Sequence, residues 1–164
     1  MTICVSVAAA TVKDAADAIA AAQEKGADLV EVRFDLMNEL PSDLTPLKNI
    51  SLPRMATLRS KSHGGAWGKD DEAKVRLFRR AIKAGFTLID MEDDFPQRHL
   101  RERELKGVER VVSHHELGDT PSTARIIEIM LLAGARGELA KGAFRVDTVA
   151  GLHRLVHASK LLSL

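Results

Sequence analysis

The sequence is poor in residues that form cross-links and in aromatic residues. It has one cysteine, one tryptophan and no tyrosine, and aromatic residues make up 4% of its 164 positions. The single cysteine, Cys4, excludes both a disulfide within the chain and a cysteine-based metal cluster. This cysteine usage favours a reducing, cytoplasmic location. A chain of this length is expected to form one domain, residues 1–164, whose core needs no covalent support.

The sequence also lacks an excess of charge of either sign and a long hydrophobic run. Lysine and arginine together number 24 and acidic residues 23, which gives a net charge of +1. Without a basic surplus, the composition argues against nucleic acid as a partner and favours a small molecule. The apolar start over residues 1–12 has no basic leader, and the apolar run 126–135 is short and contains Glu128. We therefore predict neither a signal peptide nor a membrane span.

Strand-like and helix-like segments alternate along the chain. The first helix can be capped by Thr11 and closed by Gly26, and Thr120-Pro121 supplies the capping residue and first-turn proline of another helix. The charged run 98–106 fits the solvated face of a helix. Six β-then-α units in succession predict a parallel sheet with right-handed crossovers. The six strand-like runs are residues 3–7, 29–35, 54–59, 87–92, 110–115 and 143–149.

Charged side chains alternate with apolar ones where several of these strands end. Side chains two residues apart share a face of a strand, so Glu31, Arg33 and Asp35 point one way and the intervening apolar residues point the other. A cluster of charges on a buried parallel strand needs partners, a ligand or a solvent-filled cavity. The alternation therefore predicts a binding site at this edge of the sheet.

Two architectures fit this pattern, an open doubly wound sheet and a (β/α)8 barrel. In a barrel, functional groups from the C-terminal ends of several strands converge above the core. The chain has such groups at strands two to five, namely Arg33, Arg59, Glu92 and His115. A doubly wound sheet should carry glycines in its first turn, and residues 5–10 contain none. We favour an α/β fold of the (β/α)8 TIM-barrel type, truncated after six βα units because a complete barrel needs about 250 residues.

Four segments, taken in order, resemble those of the type I 3-dehydroquinate dehydratases, a family of shikimate-pathway lyases with a (β/α)8 fold. They are Glu-x-Arg-x-Asp at residues 31–35, Arg59 with the glycine pair Gly64-Gly65, the acidic pair Asp90 and Glu92, and the histidine segment 112–116 followed by Thr120-Pro121. The resemblance covers nearly the whole chain. It is specific because all four segments occur in the family's order.

The resemblance implies dehydration of 3-dehydroquinate to 3-dehydroshikimate without a metal or a coenzyme. In this family a lysine amine forms a Schiff base with the substrate ketone, and a histidine moves protons while water is eliminated. A protonated imine takes up the charge that develops when a proton leaves the neighbouring carbon, and an imidazole is suited to carrying that proton. By resemblance, His115 is the proton carrier, Glu31, Arg33, Arg59 and, more weakly, Ser6 contact the substrate, and Asp35, Asp90, Glu92 and His63 support them.

The sequence departs from the family pattern at the sixth strand. The family carries its Schiff-base lysine there, and on a strand over residues 143–149 the matching residue is Arg145. A guanidinium stays protonated and cannot form an imine, so this alignment closes the covalent route. Lys141 lies four residues earlier, which places it at the entrance of that strand and away from the site. Arg145 is expected instead to pair with Asp147, within reach of Glu92.

Two further departures concern the loop after the third strand and the end of the chain. His63 stands where the family has a glutamate before the glycine pair. Without the last two βα units, strands one and six would present unpaired edges. Dimerisation, a fragmentary gene product or a truncation of the chain would each account for this, and a homodimer is the expected state.

Several alternatives remain open at this point. Arg33 and its neighbouring carboxylates could be a structural ion-pair network. A metal site at His63, His114 and His115 is disfavoured because adjacent strand residues face opposite ways. For the protein as a whole, the alternative is a catalytically inactive homologue or fragment that retains carboxylate binding or oligomerisation. An unrelated (β/α) enzyme for phosphorylated sugars is less favoured because no glycine-rich phosphate loop is present.

Overall fold

One parallel sheet organises the computed structural model, which describes residues 2–68, 71–96 and 105–163. Each strand pairs in parallel with its neighbours in chain order, as the alternating pattern predicts. The strands are β1 (Cys4–Val7), β2 (Leu29–Arg33), β3 (Arg54–Thr57), β4 (Leu88–Glu92), β5 (Glu109–Glu116) and β6 (Leu139–Phe144). The α-helices of the described residues are α1 (Val12–Glu24), α2 (Asp71–Lys83), α3 (Thr123–Gly134) and α4 (Val149–Leu162). Most of the predicted charged helix face, residues 98–104, lies outside the described residues.

The helix ends follow from local capping chemistry. Thr11 caps α1 as predicted, because its hydroxyl accepts a hydrogen bond from the backbone N–H of Asp14 at 3.1 Å. The predicted start of α3 at Thr120-Pro121 is wrong. Ser122 caps that helix instead, accepting from the backbone N–H of Arg125. The hydroxyl of Thr120 donates at 2.6 Å to the carbonyl oxygen of Arg145.

The connection between β2 and β3 differs from the predicted succession of six β-then-α units. Residues 34–53 hold two short 3₁₀ turns, Phe34–Leu36 and Thr45–Leu47, and no α-helix. Prolines at positions 41, 46 and 53 explain this, since each lacks a backbone donor and its ring clashes with a continuing helix. This side of the sheet is covered by irregular chain.

The sheet curls strongly, as a barrel wall does. Lys141 on β6 contacts Glu31 on β2, with Nζ 2.9 Å from Oε1. Four inter-strand spacings of about 4.8 Å would separate these strands by about 19 Å in a flat sheet. Two side chains cannot bridge that distance, so the strands bend toward each other around a common interior.

The two faces of the curled sheet have different roles. The outer face packs apolar side chains such as Val30, Val32, Ala56 and Ile89 into the main hydrophobic core. The inner face begins, at its N-terminal end, with a smaller apolar cluster formed by Met55, Leu88 and Val111 with Leu29. The inward polar side chains lie above that cluster. No helix of the described part of the chain combines the length and hydrophobicity that a bilayer span requires.

Candidate active site

The inward faces of the six strands build a polar layer next to the apolar cluster at the N-terminal end of the barrel. Strand register places Ser6 beside Glu31, Ser113 beside Lys141, and Thr57 between Arg33 and Asp90. Glu31, Thr57, Asp90 and Ser113 are buried. Because buried polar groups must find partners, this layer is held by a dense set of hydrogen bonds and ion pairs.

Lys141 lies in the middle of this layer, where the sequence prediction does not place it. Its Nζ is 2.9 Å from Glu31 Oε1 and 2.9 Å from Asp90 Oδ2, and its side chain is 29% exposed. The predicted sixth strand over residues 143–149 is wrong, because the strand is Leu139–Phe144 and residue 141 pairs with Ser113 in its interior. The placement of Lys141 at a strand entrance is therefore wrong as well.

An ion pair joins the start of β6 to β5 in this register. The Arg110 guanidinium contacts the Glu138 carboxylate, with Nη2 2.6 Å from Oε1, and the backbone N–H of Arg110 donates to Oε2 of the same carboxylate at 2.7 Å. Arg110 belongs to β5, and Glu138 immediately precedes β6. The two contacts hold the beginning of β6 beside β5.

Arg145 lies outside the polar layer, which corrects its assignment to the position of the Schiff-base lysine. Its side chain is 60% exposed, and Nε is 2.7 Å from Asp147 Oδ2. The predicted pairing of these two residues is confirmed. Their predicted approach to Glu92 is wrong, because β6 ends at Phe144 and Glu92 pairs with Lys74 instead.

Glu31 is the most highly coordinated carboxylate of the layer. It accepts hydrogen bonds from the hydroxyls of Ser6 and Thr57 and from Arg59 Nη2, in addition to Lys141 Nζ. Burial by itself raises the pKa of Glu31, but Lys141 and the two hydroxyls lower it to about 2. Glu31 is therefore ionised throughout the physiological range.

Asp90 and Arg33 complete the polar layer on either side of Arg59. Asp90 accepts from the Ser113 hydroxyl at 2.5 Å and lies 3.7 Å from Arg59 Nη2. Arg33 forms a two-pronged pair with Asp35, at 2.8 and 2.7 Å. Asp35 lies in the 3₁₀ turn that follows β2, so the predicted strand over residues 29–35 is two residues too long.

The loop after β3 is folded back on itself and holds Arg59 in place. The backbone groups of Arg59 and Lys61 bond those of Trp67, and Ser60 donates to Glu92 Oε1 through both its N–H, at 2.6 Å, and its hydroxyl, at 2.8 Å. Gly65 lies directly against the carbonyl of Arg59, where a Cβ would overlap the backbone. The glycine pair of the sequence motif thus shapes the loop that carries Arg59.

Gly65→Ala is expected to displace this loop and to lower the free energy of unfolding by roughly 1–3 kcal/mol, the usual cost of overpacking. The reason is the overlap between the new Cβ and the Arg59 backbone. Chemical denaturation of the two proteins measures the change. Gly68→Ala is the matched control in the same loop, because its nearest neighbours are the flexible end of the Lys61 side chain. Equal stability of both variants would contradict this explanation of Gly65.

His115 lies near the C-terminal end of β5, beside the polar layer. Burial is the main factor that lowers its pKa, and the positive charges of Arg59 and Lys141 lower it further, to about 4. His115 is therefore a neutral imidazole near pH 7, which can accept a proton. Neither of its ring nitrogens has a hydrogen-bond partner within the described residues.

His63 is the second imidazole of the site. It ends the 3₁₀ turn Lys61–His63, and its ring meets that of His115 edge to face, with centroids 5.7 Å apart. Its Nε2 and one carboxylate oxygen each of Asp93 and Asp94 lie within 4.8 Å of one another. Imidazole and carboxylate donors at such distances are the atoms a divalent cation would use. His114, whose participation with His63 and His115 in a metal site the sequence disfavours, faces the outer layer and contacts Asp93.

Sequence reasoning missed two side chains of the candidate site, Lys74 and Thr57, although the sequence held a signal for each. Lys74 is buried and contacts Glu92, and it lies on the stripe of α2 that also buries Leu77, Phe78 and Ala81. A lysine on a buried helical stripe indicates a partner in the core. Thr57 lies two residues before Arg59 on the same face of the chain, and the same alternation that marks Arg59 could have found it.

Comparison with known proteins identifies close similarities over most of the chain. The model of the family described as type I 3-dehydroquinase matches residues 3–162. The 3-dehydroquinate dehydratase of Methanococcus maripaludis strain S2 is 33% identical over 138 residues, which cover 80% of this chain and 62% of that protein. The enzyme of strain C6 is 31% identical over 146 residues, covering 86% and 66%. The chain thus spans less than two thirds of the length of these curated relatives.

Solved structures show the same fold. The 3-dehydroquinate dehydratase from Geobacillus kaustophilus HTA426 superposes with a TM-score of 0.85 at 24% identity, over 97% of this chain and 67% of that one. The protein of the same name from Enterococcus faecalis superposes with a TM-score of 0.81 at 24% identity, over 96% and 72%. The six-stranded sheet therefore corresponds to most of an α/β barrel, truncated relative to these neighbours.

Proposed function

This chain belongs to the type I 3-dehydroquinase family, and we propose that it eliminates water from 3-dehydroquinate to give 3-dehydroshikimate through an imine on Lys141. The position of Lys141 is the observation that carries the proposal. Its amine lies inside the barrel between two buried carboxylates, on the strand next to the one that carries His115. An amine and a neutral imidazole in one water-restricted site are the two groups that imine-based elimination needs.

The chemistry follows from these two groups. The ammonium of Lys141 first gives a proton to the neutral imidazole of His115, and the resulting amine attacks the ketone carbon. A C–N bond forms, and the carbonyl oxygen takes protons from the nitrogen and from His115 and leaves as water, so that a protonated imine and a neutral His115 remain. His115 then removes a proton from the carbon next to the protonated imine, whose nitrogen takes up the electron pair. The carbon–oxygen bond to the departing hydroxyl breaks, and His115 returns the proton to that oxygen as water forms. Hydrolysis of the imine releases the product and restores Lys141.

Recognition of the substrate is assigned to the charged groups around Lys141. The guanidinium groups of Arg33 and Arg59 suit a carboxylate, because a planar fork of N–H donors matches its two oxygens. Glu31 accepts from hydroxyl groups and, with Ser6, holds the base of the site. Asp35, Asp90 and Glu92 are proposed as supports. Asp35 orients Arg33, and Glu92 anchors the loop of Arg59.

A direct assay tests the proposal. The protein is mixed with 3-dehydroquinate while the absorbance of the enone product is followed, and borohydride is then added before peptide mass analysis. We expect product formation and a reduced adduct on Lys141. Turnover without an adduct would contradict the covalent route. Saturable binding without turnover would favour the alternative of an inactive homologue, which the length of the chain relative to its relatives makes worth testing.

The pH dependence of catalysis should report the low pKa of His115. Because the imidazole takes up a proton only near pH 4, the acid limb of kcat/KM is expected near that value and not near 6.5. Glu31 stays ionised even lower, at a pKa of about 2. Initial rates between pH 3.5 and 8 measure the limb, with circular dichroism at each pH as the control for folding. A limb near pH 6.5 would contradict the assignment of His115.

We further propose that the protein is a cytoplasmic homodimer. Large apolar side chains are exposed on α3 and α4, including Leu131, Leu132 and Val149, and β1 and β6 form the two edges of the described sheet. Both features support self-association. Cys4 is a free thiol at the surface, which suits a reducing compartment. Light scattering of the purified protein measures the oligomeric state.

A further inference from the structure

A buried histidine at the mouth of the candidate active site is directed at two carboxylates. His63 is 8% exposed although it lies in a loop, and its Nε2 is 3.2 Å from Asp94 Oδ1 and 3.9 Å from Asp93 Oδ1. Its Nδ1 has no hydrogen-bond partner within the described residues. A buried polar side chain with an unsatisfied nitrogen needs an explanation. The proposed elimination gives His63 no task, so the explanation lies in what the ring and the two carboxylates do together.

The spacing of the three donor atoms fits one cation. Nε2 and one oxygen of each carboxylate all lie within 4.8 Å of one another. Zn²⁺ binds imidazole nitrogen and carboxylate oxygen at about 2.0–2.2 Å, so two donors of a tetrahedral site lie about 3.4 Å apart. The distances of 3.2 and 3.9 Å from Nε2 bracket this value. The side chain of Asp94 is 63% exposed, so it can adjust its position and water can reach the remaining coordination position.

The second carboxylate, that of Asp93, is held from behind. His114 Nδ1 lies 2.7 Å from Asp93 Oδ2, while the other oxygen, Oδ1, is the one near His63. The backbone N–H of Asp93 donates to the carbonyl oxygen of Ser113 at 2.9 Å, and its own carbonyl accepts from Arg136. Outer groups that orient a carboxylate in this way are typical of metal sites. The site is therefore built into the fold and is not a chance meeting of surface side chains.

The donor set selects the class of cation. One imidazole nitrogen with two carboxylate oxygens suits a divalent transition metal such as Zn²⁺, whereas Ca²⁺ and Mg²⁺ prefer oxygen donors throughout. We propose that His63, Asp93 and Asp94 bind one divalent transition-metal cation, with water completing its coordination. The proposal does not depend on the proposed function.

A cation at this site joins two loops at the mouth of the barrel. His63 follows Arg59 by four residues, and both aspartates directly follow β4. The loop is already tied to β4 by the hydrogen bonds of Ser60 with Glu92. The cation adds a second link between the same elements and stabilises the folded chain, because the unfolded chain does not hold the three donors together. Its task is to fix the loop of Arg59, with no part in the elimination.

Titration of the chelator-treated protein with Zn²⁺ tests the site. Isothermal calorimetry is expected to show one saturable site per chain, with much weaker binding of Mg²⁺ and Ca²⁺. His114→Phe should lower the Zn²⁺ affinity roughly 10- to 100-fold, as loss of an orienting group does, and His63→Gln and Asp94→Asn should lower it at least as much. The thermal unfolding transition should rise with Zn²⁺ in the unaltered protein and stay unchanged in His63→Gln.

Exposed residues of the same types on the outer helices supply matched controls. His157→Gln on α4 and Asp17→Asn on α1 should bind Zn²⁺ as the unaltered protein does. Cys4→Ser should do so as well, which tests the exposed thiol as a competing ligand. Circular dichroism of each variant reports folding. If His63→Gln fails to fold, Asp94→Asn keeps the test valid, because that side chain is largely exposed.

Three results would overturn the proposal. They are the absence of saturable Zn²⁺ binding, an affinity that both His63→Gln and Asp94→Asn leave unchanged, and binding of Mg²⁺ as tight as that of Zn²⁺. The first would leave a simple ion pair between His63 and Asp94 as the explanation of their contact. Because every titration is made without 3-dehydroquinate, failure of the proposed function would not alter the outcome.

Discussion

Lys141→Arg is expected to abolish both the dehydration of 3-dehydroquinate and the adduct trapped by borohydride. Arginine keeps a positive charge between Glu31 and Asp90, so the polar layer retains its cation. It has no free amine, so the imine cannot form. The loss in kcat should reach ~10³-fold or more, as for other covalent nucleophiles.

The same experiment separates the two assignments of the Schiff-base residue. Arg145→Lys in the Lys141→Arg background places an amine where the sequence alignment expects it. We expect no rescue, because residue 145 follows the end of β6 and its side chain points to solvent beside Asp147. Arg145→Lys alone should keep wild-type kcat within about twofold, in the range of surface substitutions. Restored turnover in the double variant would show that Arg145 holds the functional position after all.

Glu92→Gln is expected to lower the free energy of unfolding by roughly 3–5 kcal/mol, the usual cost of breaking a buried ion pair. Glu92 and Lys74 are each only 3% exposed in their side chains and contact each other directly. Burial tends to raise the pKa of Glu92, but its contact with Lys74 keeps it below the ordinary value. The pair therefore stabilises the protein above pH about 4.5, and this contribution is lost as the pH falls through the lower pKa of the folded carboxyl.

Chemical denaturation at pH 7 measures the effect of this substitution. Glu128→Gln is the control, because its pair with Arg125 is more than half exposed and should contribute below about 1 kcal/mol. The double variant Lys74→Met with Glu92→Gln should recover part of the loss, since no buried charge remains unpaired. A loss below about 1 kcal/mol in Glu92→Gln would show that water reaches the pair, contrary to its burial.

Glu92 also links stability to the site. Its Oε1 holds the N–H and the hydroxyl of Ser60, the residue next to Arg59. Its Oε2 holds Lys74 of α2. One carboxylate therefore ties the arginine loop, the end of β4 and a helix together. The sequence motif marks Glu92 as a member of an acidic pair, but its two partners become visible only when the loop and helix are packed.

Much of the fold follows from local patterns in the sequence. The alternation of strand-like and helix-like segments predicts the parallel sheet in chain order, because each element is specified by its own periodicity and caps. The missing helix between β2 and β3 was also open to prediction from the three prolines at positions 41, 46 and 53. The prediction fails for the sixth strand. Gly142 weakens the β propensity of the true strand, and the valines at 146 and 149 indicate a strand too far along the chain.

The sequence by itself determined which side chains share the inner face of the barrel. Period-two alternation places Glu31, Arg33, Asp90 and His115 inward, because local chain geometry decides the face of a strand. The same rule gives Lys141 and Arg145 an identical face, since they are four residues apart. The alternation does not show how far along the strand, and so how far into the barrel, a side chain lies. A shift of four residues moves a side chain about 13 Å along the strand.

Only the tertiary structure decided how far along the strand Lys141 lies and which contacts cross the barrel. The parallel pairing of β6 with β5 sets where β6 begins, and the curl of the sheet brings Lys141 from the sixth strand to Glu31 on the second. The approach of His63 to Asp94 likewise joins two loops more than 30 residues apart in the chain. These contacts depend on register and closure, which are set by the packing of all six strands together and by no single segment.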